Sequence, residues 1–370
     1  MADTTNATGL RVQQWDSKFF EEYIRENRFA PYMGTDENSI IQMKEDLTKK
    51  KGDRISLALV NKLSNSAVTG TGTLEGNEEE LLSRSHLLTV DKRRNGVRVA
   101  EMSEQKSAID LRMAGKAMLK GWAIDDTRDL IIRALGSVRS GNTISTWTDG
   151  TTLDALDTAG SLDPFLVDNA DRFVWGSAST GGTDFSTAHA QLDGTDDKMK
   201  ASILSTAKIL AQTASPKIRP IRTKGDEEWY VLFAHPYQLR DLVLSDTVFQ
   251  AAQREARERS KENPLFRGAD FVWDGIIIRS IPELPLVAAS TVSASAVQTA
   301  CAYLCGAQAI GYGLAKRWTS KTETFDYGDK VGVAIEQIYG VEKLCFGSGA
   351  ADTDDLKQHG VVSVWTAAVA

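Results

Sequence analysis

Four histidines, three cysteines and a set of paired carboxylates are the residues of this chain whose types could do chemistry. The histidines, His86, His189, His235 and His359, are scattered, and none stands in the HxxxH or HxE spacing that brings two ligands to one metal. His235 precedes Pro236, where it reads as shaping a strand-to-helix turn and not as a general base. Cys301 and Cys305 are four apart and would share a helix face. No histidine or second pair stands near them, so a zinc site is unsupported and they read, like Cys345, as small buried hydrophobes. Asp125-Asp126, Asp196-Asp197 and Asp354-Asp355 could model a carboxylate dyad. Adjacent helical side chains diverge by about 100°, however, and do not converge on one substrate atom. The run Gly70-Thr71-Gly72-Thr73-Leu74-Glu75-Gly76 has neither phosphate-loop spacing, and Glu78-Glu79-Glu80 behind it would repel phosphate. No nucleophile elbow occurs. The sequence therefore predicts no catalytic residue, no cofactor site and no metal ligands.

Composition narrows the classes further. The chain has 370 residues, 42% hydrophobic and 25% charged, which is ordinary for a folded protein of two or three compact units. A net charge of −7 argues against a dedicated nucleic-acid binder with a basic stripe, though not against a container that encloses nucleic acid. Three cysteines in so long a chain fit a reducing compartment. Met1–Gln14 is polar, so no secretory signal is expected. Leu284–Ala315 carries no charge, but its proline (Pro285), glycines and hydroxyls predict buried strands and no membrane span. The Gln253–Arg259 stretch reads as a solvated helix paired internally, Glu255 to Arg259.

The elements that must position these residues read as follows. Trp15, Phe19 and Tyr23, with Phe20 and Ile24, fall at helical spacing in an N-terminal arm and predict one short amphipathic helix. Arg54–Val60 reads as a strand and Leu87–Val99 as a second one. The long glycine-rich, acidic stretch between them makes a projecting hairpin, and loops beyond about 12–15 residues are usually functional or disordered. Ser103 caps a long helical pattern over about 104–135, with Gly136 as its stop. Leu111, Met118, Trp122, Leu130, Ile131, Ala134 and Leu135 form its apolar face. Residues 137–195 turn to Gly, Ser, Thr and Asp and read as irregular. Asp196–Gln212 is helical, Trp229–Ala234 a buried strand, and Tyr237–Leu244 and Thr247–Glu262 are helices. Strand signals return at Phe271–Ser280, Ala300–Leu304 and Val331–Phe346.

That order, arm, hairpin, spine helix, mixed α/β region and late strands, resembles the HK97-type capsid fold, and more specifically the phage N4-type major capsid protein family. The match rests on Gly52-Asp53, Thr73-Leu74-Glu75-Gly76-Asn77-Glu78, Met102-Ser103-Glu104-Gln105, His235-Pro236, Pro264-Leu265-Phe266 with Gly268 and Gly275, Asp326-Tyr327-Gly328, and Gly340-Val341-Glu342-Lys343 with Phe346. The resemblance implies an α+β fold with an N-terminal arm over 1–48 and an extended β-hairpin (E-loop) with its flanking strands over 49–102. It implies a peripheral domain with the spine helix over 103–195, an axial α/β domain over 196–320, returning strands over 321–347 and a C-terminal tail over 348–370.

It further implies a structural subunit of the icosahedral head of a tailed phage, assembled in the host cytoplasm and localised to the virion. Its chief partner is itself, in hexamers and pentamers around double-stranded DNA bound without sequence specificity. Portal, scaffolding and decoration proteins are further partners, and no membrane is involved. Lys62, Asn65 and Asn77 could supply the lysine and asparagine that some relatives crosslink, but no crosslinking motif is evident. The intersubunit contacts expected are Glu75, Glu78, Glu79 and Glu80 against Arg93, Arg94 or Lys49–Lys51 of a neighbour. Trp15, Phe19 and Tyr23 are expected on another subunit's spine or hairpin. A cellular nanocompartment shell of the same general fold and a soluble α+β enzyme are the competing readings.

Overall fold

Period-two alternation and continuous apolar runs write two different kinds of strand into this chain. The computed structural model describes residues 27–45, 52–60, 62–63, 66–79, 83–107, 109–140, 143–146, 162–177, 179–180, 185–223, 227–255, 271–288, 297–347 and 357–369. The arm aromatics Trp15, Phe19 and Tyr23, the Lys49–Lys51 run, Glu80 and the Arg257–Glu262 stretch lie outside them.

In chain order, β1 (Met33–Gly34) and β2 (Ile41–Lys44) precede a ribbon of β3 (Arg54–Val60) and β4 (Ser83–Thr89). β5 (Asp91–Ala100), the short helix α1 (Glu101–Lys106) and the 25-residue α2 (Leu111–Leu135) follow. Then come a hairpin, β6 (Ser137–Ser140) and β7 (Thr143–Thr146), helix α3 (Leu162–Asp168), β8 (Phe173–Trp175) and β9 (Ser179–Thr180). Helices α4 (Phe185–Ala190) and α5 (Ala201–Thr213) lead to β10 (Ile221–Arg222) and β11 (Glu228–Ala234). After α6 (Pro236–Ser245) and α7 (Thr247–Glu255) the described elements are strands, apart from a 3-10 turn at Asp326–Gly328: first β12 (Phe271–Trp273), β13 (Ile276–Ser280), β14 (Leu286–Val287) and β15 (Thr299–Cys305). The long β16 (Ile310–Phe325) and β17 (Lys330–Lys343) precede β18 (Cys345–Phe346), β19 (Lys357–Gln358) and β20 (Val361–Ala367).

Two compact units result. The larger takes in Arg28–Asp91, Arg128–Ala315 and Tyr339–Ala370. Its main sheet runs β12-β13-β11-β15-β20-β8-β9, with β10 beside β11 and β14 beside β15. The central strands are buried on both faces, which is why Trp229–Ala234 and Val361–Ala367 read as near-continuous apolar runs and not as alternation. One face packs Tyr230, Leu232, Ile276, Ile278, Val362 and Val364 against the small residues Ala201, Ala207 and Ala211 of α5. The other stacks Trp175 on Trp365 at 5.9 Å between centroids, with Phe185 edge-on to both. In the smaller unit, drawn among the described residues from Asn27, Lys92–Thr127 and Lys316–Ile338, the order is β16-β17-β5, and α2 lies against that sheet. Trp122 meets Trp318 edge to face at 6.0 Å.

Four sequence expectations change. The long helix does not start at Ser103. The chain breaks after α1, and Asp110 caps α2 by accepting N–H bonds from Arg112 and Met113 (3.0 and 2.9 Å), so the helix is roughly 37 Å long. The strand expected over Leu87–Val99 is two strands divided at Val90, whose N–H turns to the Asp53 carbonyl (3.0 Å). Residues 196–200 are not helical, because Asp193 accepts the N–H groups of Thr195 and Asp196 (2.8 Å each) and closes a turn there. The segment expected as a tail enters the centre of the sheet: β20 pairs antiparallel with β15, Thr299↔Ala367 to Cys305↔Val361, and parallel with β8, Val364↔Val174.

Candidate intersubunit surface

The ribbon begins with its register. Ile55 faces Leu88, Leu57 faces His86 and Leu59 faces Arg84, so one face carries these six while Ser56, Ala58, Val60, Ser83, Ser85 and Leu87 point away. Only the base of the inner face is covered: Ile55, His86 and Leu88 are buried, Leu57, Leu59 and Arg84 half-buried. Glycines make the close approach possible. A Cβ on Gly313 would stand 2.3 Å from Leu88 Cδ2, and one on Gly340 2.0 Å from the Thr89 carbonyl oxygen. Glu342 completes the attachment, accepting the Thr89 N–H at 2.9 Å and lying 3.4 Å from His86 Nε2, while His86 Nδ1 stands 2.9 Å from the Cys345 carbonyl oxygen.

Beyond Val60 and Ser83 the described residues of the ribbon, 62–63 and 66–78, are exposed. At its tip Asn77 N–H bonds to the Leu74 carbonyl (2.9 Å) across Glu75-Gly76, and Gly76 has φ +88°, the left-handed third position that a type II turn reserves for glycine. Asn77 also donates its side-chain N–H to the Thr73 carbonyl, and Glu78 accepts the Gly76 N–H at 2.7 Å. The Thr-Leu-Glu-Gly-Asn-Glu run is therefore a self-bonded turn. Glu75 and Glu78 are exposed and Glu79 half-buried. Apolar side chains share that exposure: Val60, Leu63, Val68 and Leu74 lie open, Leu74 at 64%.

The basic residues divide. Arg93 is engaged within its own chain. Its guanidinium grips both carboxylate oxygens of buried Asp126, Nε to Oδ2 at 2.7 Å and a second bond to Oδ1. Arg94, one residue on and on the opposite face of β5, is exposed. Sequence reasoning had weighed Asp126 as half of an acidic dyad and missed it as an arginine partner. It also missed Glu336, which gathers Lys92, Lys316 and Lys321 at 3.0, 2.5 and 2.7 Å; these lysines hold its carboxyl well below the usual carboxylate range. The one signal for these was the shared alternation of β5, β16 and β17.

Elsewhere in the smaller unit, α2 and the sheet leave an apolar groove of about 530 Å³, walled by Leu119, Ala123 and Ile124 on the helix and Trp318, Val333 and Ile335 on the strands. Asn27 stands at its edge, with Lys116 and Lys120 on the rim.

The residues weighed for catalysis take structural places. His235 caps α6, its Nδ1 accepting the Tyr237 N–H (3.2 Å) while Gln238 Oε1 accepts its own N–H (3.0 Å). Burial lowers its pKa, against the pull of Glu283. Cys301 and Cys305 lie on β15, not on a helix, and burial pushes the Cys301 thiol up to about 12 and that of Cys305 higher. No cluster of three or more histidine, cysteine or acidic side chains able to hold a metal occurs among the described residues, and no described helix is long and apolar enough to cross a membrane.

The phage capsid protein family matches residues 3–370. The chain belongs to that family. It is similar to the major capsid protein of Pseudomonas phage KPP25, 28% identical over 383 aligned residues covering 98% of each chain. Its fold superposes on the capsid subunit of cyanophage Pam1 with a TM-score of 0.81 at 32% identity, covering 100% of both chains. For the capsid of Ralstonia phage GP4 the TM-score is 0.75 at 25% identity, over 100% of this chain and 99% of that one. The HK97-like fold and a shell-building role follow, in place of the enzyme and nanocompartment readings. The subunit is a structural protein of the virion whose partner is itself.

Proposed function

We propose that copies of this subunit close into five- and six-membered rings by each presenting its ribbon tip to the next copy, giving an icosahedral head around double-stranded DNA bound without sequence specificity. In this reading 1–48 is the arm, 49–102 the E-loop, 103–195 with the returning strands 321–347 the peripheral domain, 196–320 the axial domain and 348–370 the C-terminal segment. Portal, scaffolding and decoration proteins join the assembly in the host cytoplasm, and no membrane takes part.

The observation that carries this is the division within one ribbon. Its base is tied to its own chain by Ile55, Leu88 and Glu342, while its outer half exposes Val60, Leu63, Val68 and Leu74 beside a tip of carboxylates. An isolated two-stranded ribbon is only marginally stable in water. Each exposed ion pair, Glu75, Glu78, Glu79 or Glu80 with a neighbour's Arg94 or Lys49–Lys51, is worth about 0–1 kcal/mol. Burying one of the exposed aliphatic side chains is worth about 1.5–3 kcal/mol, so apolar contact supplies the strength and charge the register. Replacing Glu78, Glu79 and Glu80 together by lysine is expected to leave the monomer folded by circular dichroism and to abolish closed shells by negative-stain microscopy. Shells of normal size and yield from that variant would sink the proposal.

A further inference from the structure

We infer that the groove between α2 and its sheet is the seat of the chain's own N-terminal segment, Trp15–Ile24, docked through its aromatic stripe. Three observations point to this occupant. The groove is walled by Leu119, Ala123, Ile124, Trp318, Val333 and Ile335, which suits an apolar helical face and offers little to a polar ligand. Asn27, at the groove's edge, is where the segment arrives, and Tyr23 is four residues upstream of it. The charges also match. On a helical wheel, Glu22 borders the Trp15-Phe19-Tyr23 stripe on its Trp15 side, and exposed Lys116 and Lys120, one turn apart on α2, stand on the groove's rim.

The tether decides between the chain's own segment and that of another copy. A short linker holds a segment at an effective concentration in the millimolar range at its own groove, against which a second copy in dilute solution cannot compete. The sequence by itself placed these aromatics on a neighbouring subunit; the position of Asn27 returns them to their own. Docking here is independent of how the ribbon tip is held, so it can fail while shells still close, and shell closure can fail while docking persists.

Phe19→Cys with Ala123→Cys in the full chain, bridged by a short bis-maleimide, tests this directly, because Cys301, Cys305 and Cys345 are buried. Equal amounts of ordinary and 15N-labelled chains are mixed before bridging. Bridged peptides carrying a single isotope are the expected result; mixed-isotope peptides, or no bridge above a single-cysteine background, would overturn the inference. A second measurement needs no introduced cysteine. Ala123→Glu puts a charge into the groove from a half-buried helix position, and trypsin cleavage after Lys18 and Arg25 is expected to accelerate at least about tenfold, as for loss of one buried anchor. An unchanged rate would refute it.

Discussion

Gly340→Ala puts a single methyl group where the ribbon base meets β17. The added Cβ would lie 2.0 Å from the Thr89 carbonyl oxygen and 3.0 Å from its carbon, whereas ordinary contact starts near 3.4 Å. The obstacle is backbone, so no rotamer relieves it, and β4 must retreat by more than about 1 Å. Such a shift breaks the Thr89 N–H bond to Glu342 (2.9 Å) and loosens the Val90 N–H bond to Asp53 (3.0 Å). Overpacking costs about 1–3 kcal/mol, and each of the two hydrogen bonds about 0.5–1.5 kcal/mol, which together set the loss at about 2–6 kcal/mol. Gly115→Ala is the contrast. It lies inside α2 with only the Val97 methyl at 3.3 Å, and the gain in helix propensity is about 1 kcal/mol, so stability should hold or rise. Urea unfolding followed by tryptophan fluorescence reads both variants, and microscopy of assembly mixtures reads the consequence for shells. A Gly340→Ala midpoint equal to that of the unaltered chain would refute the reasoning that this glycine exists to let the ribbon base close in.

Two further outcomes are expected. Burial, with Arg172 and Arg219 nearby, lowers the His359 pKa from 6.5 to about 4, and its Nδ1 finds no hydrogen-bond partner. The unfolded chain binds this proton more tightly, so the site's contribution is whole above pH ~6.5 and is lost on acidification, about 2 kcal/mol by pH 5 and about 3 below pH 4. His359→Leu should flatten the stability-versus-pH curve by that amount, and an unaltered slope would count against it. Tyr327 is fully exposed at the β16–β17 turn with φ +52°, in a run where Asp326 and Gly328 also have positive φ. Tyr327→Ala should change unfolding stability by less than about 0.5 kcal/mol yet slow shell assembly followed by light scattering; wild-type assembly kinetics would show that this side chain anchors nothing.

What local chemistry dictates was legible in the residues alone. The Arg54–Val60 alternation, the apolar run of β11, the His235-Pro236 cap and the glycine that turns the ribbon tip each depend on neighbours within a few positions, and each stands where the pattern put it. The membrane-like run Leu284–Ala315 resolved, where described, into the strands that its glycines and hydroxyls implied. Other features turned on partners far along the chain. Val361–Ala367 is β-branched enough to be a strand, but only pairing with β15 and β8, about 60 and 190 residues away, makes it the centre of a sheet. Ser103 and Asp110 are nearly equal as helix starts by local energy, and the Glu101 N–H bond to the Asp329 carbonyl (2.8 Å) fixes α1 apart from α2. Asp126 became the clamp of Arg93, and Gly313 and Gly340 the seats of the ribbon, because long-range packing brings residues together that no spacing rule relates. Capping, turns and alternation are short-range and survive in the one-dimensional pattern; the pairing of distant strands and the placement of charges are set by which surfaces exclude water together, and only the folded chain decides that.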